Sequence, residues 1–450
     1  MTSLKICLVS PYSSGKGKII PNGIRTLAGI AHESNPSREI RVYDGNFESM
    51  PCIEKKVKEF NPDILGVSVF TDNFKDAKNI LNSTKTPIKL SGGPYATKFP
   101  KKLQNYSEYV FLGEAETTFK QFLDKIENNQ KEEKTILPST ESFVELETIP
   151  ISGWKFLADY IPQMEVSPMW HLKSDLVNIL SSRGCNNNCV FCLSSQIHGK
   201  DIRFRSVENI EEEINFVNYT LSSKNLPSLK SVIFDDSDIF FRDNQSLEDM
   251  FLMLNKYGLT YSAFASIENA DKEIIALGQH TGLKSLFFGI ETHEKNRKYI
   301  GRGKKFSDEQ AEDLLIHCKR NNIFTCLGFI VGYPWESHED MIKTMDCMNE
   351  LPGDYPGVGI LDLHPGTAVW EYKQKHIDTY KRTYGNLADN DFLCSPHPTI
   401  RRNELEKLVS ESYKKAYTNP KRISRLNFLK DSFDKTKMQE VFKKKKEIYS

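Results

Sequence analysis

The sequence predicts an α/β protein: an N-terminal doubly wound domain, then a partial (β/α)6 barrel, then a helical C-terminal extension. Three observations predict it. Short apolar runs alternate with segments of helical spacing across residues 1–130. The alternation resumes at Leu176 and continues to about Pro365, supplying six strand candidates. Beyond that, residues 400–450 are helix-patterned and basic, ending in Lys443-Lys-Lys-Lys446.

The first strand is Leu4-Lys-Ile-Cys-Leu-Val-Ser10, closed by Pro11, and Ile40-Arg-Val-Tyr-Asp44 is the second. Apolar residues at 53, 57 and 60 mark a helix. Pro62–Phe70 reads as a buried strand, Ile88–Pro94 as a strand ending in a glycine turn, and Tyr109–Leu112 as a short strand entering a helix. Together they describe a Rossmann-like unit over 1–130. Residues 131–175 are polar and Pro-punctuated, with Trp154 and Trp170 as anchors, and read as a partly ordered linker. The barrel spans 176–370, with strands at Leu176–Ser181, Ser231–Phe234, Tyr261–Ser266, Ser285–Ile290, Thr325–Val331 and Val358–Leu363. Residues 371–450 form the helical extension.

Composition narrows the function. Sixty Lys and Arg balance sixty Asp and Glu, so no net field favours nucleic acid. No apolar run of membrane-spanning length occurs, and the N-terminus lacks signal-peptide features, so a cytoplasmic location is expected. There, nine cysteines read as thiols or metal ligands rather than disulfides.

Arg183-Gly-Cys185-Asn-Asn-Asn-Cys189-Val-Phe-Cys192 is the most informative stretch. Three thiolates at these spacings, on a loop leaving a strand, can hold three corners of a 4Fe–4S cubane and leave one iron open. The other readings are structural zinc or unrelated thiols, but zinc prefers four closing ligands and no fourth Cys or His falls at a matching spacing nearby. The spacing, with Phe191 before the last cysteine, resembles the radical S-adenosylmethionine (SAM) superfamily. The resemblance implies that SAM chelates the open iron and is cleaved reductively to a 5′-deoxyadenosyl radical. It also implies that Phe191 contacts adenine. Asp235 and Asp236 stand where the family commonly has Gly-Gly-Glu, so only the position carries over. Glu291, in Phe288-Gly-Ile-Glu291, resembles the acidic residue that binds ribose or the amino group. Gly328, Ile330, Gly332 and Glu336 resemble the fifth-strand segment whose backbone lies against adenine, with the glutamate one residue late.

The first 130 residues resemble the cobalamin-binding domains of one branch of that superfamily, through Gly66-Val-Ser68, Ser91-Gly92-Gly93-Pro94 and Gly113-Glu-Ala-Glu116. The resemblance implies that Ser68, Gly92 and Gly93 border the cobalamin nucleotide tail. Tyr43-Asp44-Gly-Asn46 lacks the histidine of the cobalt-ligating Asp-x-His-x-x-Gly pattern, so the lower face has no histidine from this segment. A domain that has lost the corrinoid is the alternative. With cobalamin, the implied reaction is methyl transfer to an unactivated carbon in natural-product or peptide maturation. Without it, the resemblance extends to radical peptide epimerases, with Cys394 as hydrogen-atom donor. Expected partners are a peptide or small-molecule natural-product substrate and an electron donor such as flavodoxin or ferredoxin; neither a membrane nor nucleic acid is expected.

Overall fold

Strand runs rich in Ile, Val and Leu build the first sheet: β1 (Lys5–Ser10), β2 (Glu39–Asp44), β3 (Ile64–Ser68), β4 (Ile88–Gly92), β5 (Tyr109–Phe111) and β6 (Ile136–Leu137). A computed structural model describes the chain except residues 1–2, 13–17, 131, 134, 140–142, 165–174, 386–395 and 421–450. The order is β2-β1-β3-β4-β5-β6, with every pairing parallel. β1 pairs with β2 from Lys5↔Glu39 to Ser10↔Asp44, and with β3 from Ile6↔Ile64 to Val9↔Val67. Winding therefore reverses between β1 and β3, and the crevice outside those strand ends is where such sheets bind ligands. Helices α1 (Asn22–Ser34), α2 (Met50–Phe60), α3 (Phe74–Ser83) and α4 (Glu116–Glu127) lie between the strands in sequence. α2 and α3 bury Ile53, Val57, Ala77, Ile80 and Leu81 against Cys7, Val9, Leu65 and Val67 of the strands. These helical residues repeat every three or four positions, which is why one face is buried.

The stretch expected as a linker is built into this sheet and its flank. β6 adds a sixth strand, and 3-10 turns follow at Leu146–Thr148, Ile151–Phe156 and Ala158–Gln163. A Cβ on Gly153 would collide with the Arg25 carbonyl, and one on Gly29 would meet Pro150 at 2.9 Å, so this segment packs directly on α1. Trp154 is fully buried; Trp170 lies outside the described residues.

The second sheet contains β7 (Leu176–Ile179), β10 (Ser231–Phe234), β11 (Thr260–Ala265), β12 (Leu283–Glu291), β13 (Phe324–Val331) and β14 (Tyr355–Ile360). A hairpin of β8 (Ser182–Arg183) and β9 (Arg203–Phe204) interrupts the series. The order β14-β13-β12-β11-β10-β7 follows the chain and leaves β14 and β7 as edges, as an open barrel requires. β11 through β14 pair in parallel. The sixth strand lies slightly before its expected position: Leu361 and Leu363 continue the apolar run but are buried beyond the strand. Helices α5 (Val207–Ser223), α6 (Asn244–Lys256), α7 (Lys272–Thr281), α8 (Asp308–Arg320) and α9 (His338–Glu350) separate the strands. Each begins at a side-chain cap: Ser206, Asp243, Asp271, Ser307 or Ser337. Such caps fix where each loop hands over to its helix. Helices at Ala368–Lys375, Ile377–Tyr384 and Arg402–Tyr417 form the described part of the extension.

The described residues divide into two compact units. One is drawn from Met1–Val166, Lys173–Arg183 and Arg203–Ile233; the other from Ser167–Leu172, Gly184–Ile202 and Phe234–Ser450.

Candidate functional site

The cysteine loop begins where the backbone leaves strand conformation. Gly184 has φ +110, and a Cβ there would collide with the Asp201 carbonyl, so this position needs glycine. The Cys185 amide donates to the Gly199 carbonyl at 3.1 Å and the Cys192 amide to the Cys189 carbonyl at 3.0 Å, while Asn188 takes φ +50 between them. All three thiols are unpaired and half-buried. Burial pushes Cys185 up and Cys189 up to about 12, so each holds its proton until a metal displaces it. The Ser194 amide donates to Cys192 Sγ at 3.4 Å.

A second loop clamps this one. The Val190 amide donates to the Ile300 carbonyl at 2.8 Å, and Arg302 to the Asn187 carbonyl at 2.9 Å. A Cβ on Gly301 would lie 2.9 Å from that carbonyl and 3.0 Å from Cys189 Cα, and one on Gly303 would meet the Asn187 side chain at 2.5 Å. The glycines of Ile300-Gly-Arg-Gly-Lys304 thus let two backbones touch behind the cysteines. Two glycines within three residues are a sequence signal for such an approach.

Lys304 follows directly and is buried. Its Nζ donates to the Gly289 carbonyl and lies 3.2 Å from Glu291 Oε1. Burial alone would depress Lys304; the negative charges of Glu291, foremost, and of Glu268 outweigh it and keep the ammonium above its ordinary range. Glu291 ends β12 after a register shift and has φ +70. For a residue with a Cβ this costs about 1–3 kcal/mol, held in place here by the ion pair.

Gly289, Gly328 and Gly357 are in register across β12, β13 and β14, and the Phe287 ring covers Gly328, where a Cβ would meet it at 2.8 Å. A Cβ on Gly289 would collide with the Glu291 carboxylate. Ile330 is half-buried further along β13. Gly332 has φ +91, and the loop it opens folds onto Glu336, whose Oε2 accepts from the Gly332 and Tyr333 amides at 2.8 and 3.0 Å. Glu336 therefore shapes its own loop. Phe191 is half-buried and packs with Ile300, Leu361, Leu363 and Val369. Asp235 and Asp236 follow β10, the first half-buried and the second buried. Sequence reasoning passed over Asp238, a buried carboxylate that accepts from Ser266 Oγ, from Asn269 Nδ2 at 2.8 Å and from the Phe240 amide at 3.0 Å.

In the other unit, Ser68 and Gly92 are opposite one another at the ends of β3 and β4. Gly93 has φ +97, and its Cβ would meet the Val69 carbonyl at 2.9 Å. Gly92 has room for a side chain, with Phe111 at 3.7 Å. Of the pair, only Gly93 is required by the backbone. The acidic residues of Gly113-Glu-Ala-Glu116 pair with the hairpin. Arg183 Nη1 lies 2.6 Å from Glu116, and Arg203 Nη2 lies 2.8 Å from Glu114. Cys394 lies outside the described residues.

Among the described residues no three His, Cys, Asp or Glu side chains converge as on one metal ion. A cubane binds each thiolate at a different iron, so its sulfurs stand apart. The donor set fits that group: three thiols on one loop, a glycine-backed clamp and a buried cation beside Cys189. Gly93, in the turn after β4 and against Val69 beyond β3, stands on the side of the first sheet where the strands end, the side on which such sheets bind ligands.

Residues 179–348 match the radical SAM superfamily model and residues 13–123 match the B12 binding domain model. A radical SAM domain implies a 4Fe–4S cluster and SAM, and a B12-binding domain implies cobalamin. An uncharacterized methyltransferase of Pyrococcus horikoshii is 26% identical, covering 96% of each chain. Among solved structures, the radical SAM methyltransferase TsrM of Kitasatospora setae, with cobalamin and cluster bound, has TM-score 0.61 at 17% identity, over 81% of this chain and 74% of that one. The cobalamin-dependent SAM radical enzyme OxsB, with aqua-cobalamin bound, has TM-score 0.68 at 15% identity, over 92% of this chain and 66% of that one. The fold is therefore a parallel-sheet Rossmann-like region followed by the radical SAM fold.

Proposed function

We propose that this chain, which carries a B12-binding domain ahead of a radical SAM domain, methylates an unactivated carbon of a small-molecule natural product or peptide. One observation carries the reading: a three-cysteine loop clamped beside the buried Lys304–Glu291 pair, in a chain that also holds a B12-binding domain. The full-length relative and TsrM, both described as methyltransferases, support it. Bound at these residues, the cluster supplies the electron that cleaves SAM, and the corrinoid carries the methyl group.

The chain's own residues divide the remaining work. Cys185, Cys189 and Cys192 hold three irons and leave one open to SAM. Glu291, fixed by Lys304, accepts from the amino group or ribose. The backbone of the Gly328–Gly332 segment lies against adenine, with Phe191 as an apolar neighbour. Ser68 and Gly93 border the nucleotide tail of the corrinoid. A flavodoxin or ferredoxin delivers the electron in the cytoplasm.

The test incubates the full chain, reconstituted anaerobically with cluster and cobalamin, with SAM and dithionite. The reading predicts two SAM-derived products: S-adenosylhomocysteine, from methyl donation, and 5′-deoxyadenosine, from radical cleavage. Formation of 5′-deoxyadenosine alone would contradict methyl transfer and leave hydrogen-atom exchange, as in peptide epimerisation.

A further inference from the structure

Three guanidinium groups and one carboxylate of the first unit border a common space. Arg25 of α1, Arg183 of β8, Arg205 just after β9 and Glu213 of α5 line a cavity of about 20 Å³, with Pro150 and Leu180 among its apolar walls. The four charged residues are at most 7% exposed. A cavity of this size has room for one occupant of water or halide dimensions.

Charge decides which occupant it fits. Glu213 accepts from both Arg25 and Arg205. Arg183 pairs with Glu116 at 2.6 Å, and Arg203 with Glu114 at 2.8 Å. Among the described residues of this network, four arginines thus face three glutamates. Glu147 also acts on Arg205, but it is exposed and accepts the Ser206 amide at 2.8 Å, so water screens it. Burial lowers the Arg25 guanidinium from its ordinary range, Glu213 raises it, and the charges of Arg205 and Arg183 lower it again. A buried cation without a counter-ion is costly. One donor is also left over. Arg25 Nη1 is taken by Glu213, Nη2 donates to Asn22 Oδ1 at 3.0 Å, and the Trp154 ring lies 4.5 Å from Cζ. The Nε–H is buried and makes no hydrogen bond among the described residues. A charged donor beside a cavity with surplus positive charge favours an anion over water.

We infer that this cavity is a binding site for one small monovalent anion of chloride size, which accepts from Arg25 Nε and balances the surplus arginine. Bound there, the anion ties together α1, the hairpin and α5, which supply the arginines and Glu213. The site is separate from the cysteine loop and stands whichever reaction the chain catalyses.

The experiment has two parts, both on the full chain reconstituted anaerobically with cluster and cobalamin. Crystals grown in sodium bromide are read for anomalous scattering at the bromine edge. Melting temperatures are compared in sodium chloride and in sodium gluconate at equal ionic strength, gluconate being too large for the cavity. The inference predicts a bromide peak beside Arg25 and a melting temperature about 2 °C higher in chloride. Arg25→Met removes both the surplus charge and the Nε–H, and abolishes both signals. Should that variant not fold, the wild-type peak and shift decide together. A cavity that holds water, or nothing, in bromide overturns the inference. A bromide peak with equal melting temperatures marks an adventitious ion only and also overturns it, as does a chloride shift that survives in Arg25→Met.

Discussion

At Glu336 burial is the largest influence, pushing the carboxyl up to about 7 against the pull of the Gly332 and Tyr333 amides. The folded state therefore keeps a proton that the unfolded state releases near pH 4.3. Stability from this group is greatest below the unfolded value and is lost as pH rises through about 7, on the order of 3 kcal/mol in all. Glu336→Gln retains an oxygen for the two amides and removes the titration. Urea midpoints should fall between about pH 5 and about pH 8 in wild type, and fall less in the variant. Equal falls would place the pH dependence elsewhere. The cysteines were legible because their chemistry needs a short, fixed spacing. Lys304 and Asp238 were not, since each gains its meaning from a residue 13 or more positions away, Glu291 and Ser266.

Among the elements, α1, α5 and the 3-10 turn at Ile151–Phe156 meet at one carboxylate. Glu213 is fully buried and accepts from Arg25, Arg205 and, at 2.7 Å, Trp154 Nε1. Burial opposes its ionisation, but the two guanidinium groups outweigh this and hold the carboxyl well below its ordinary range. Glu213→Gln leaves both arginines buried without their counter-ion. It should cost about 3–5 kcal/mol, read as a lower urea midpoint. A change under 1 kcal/mol would show the arginines finding other partners. The long strands were legible from their apolar runs. The two-residue β6, the β8–β9 hairpin and the 3-10 turns were not, because elements so short carry no periodicity. The linker reading arose the same way: Trp154 is one of few apolar anchors in a polar stretch, and only the fold reveals its bond to Glu213.

On the scale of the whole molecule, two parallel sheets bring two kinds of site into one chain. The first was legible through its alternating strands and its Gly92-Gly93 turn, although only Gly93 is demanded by the backbone. The acidic segment that shared in the same resemblance holds the hairpin through two ion pairs. Among the described residues no helix is long and apolar enough to cross a membrane. The substrate was not legible, because no motif in the sequence encodes it. The central claim is that one chain holds both a cluster and a corrinoid. The most direct measurement is iron, sulfide and corrinoid content after anaerobic purification with all three supplied. The account predicts about four irons per chain and near-equimolar corrinoid. A fully loaded cluster without corrinoid would contradict it.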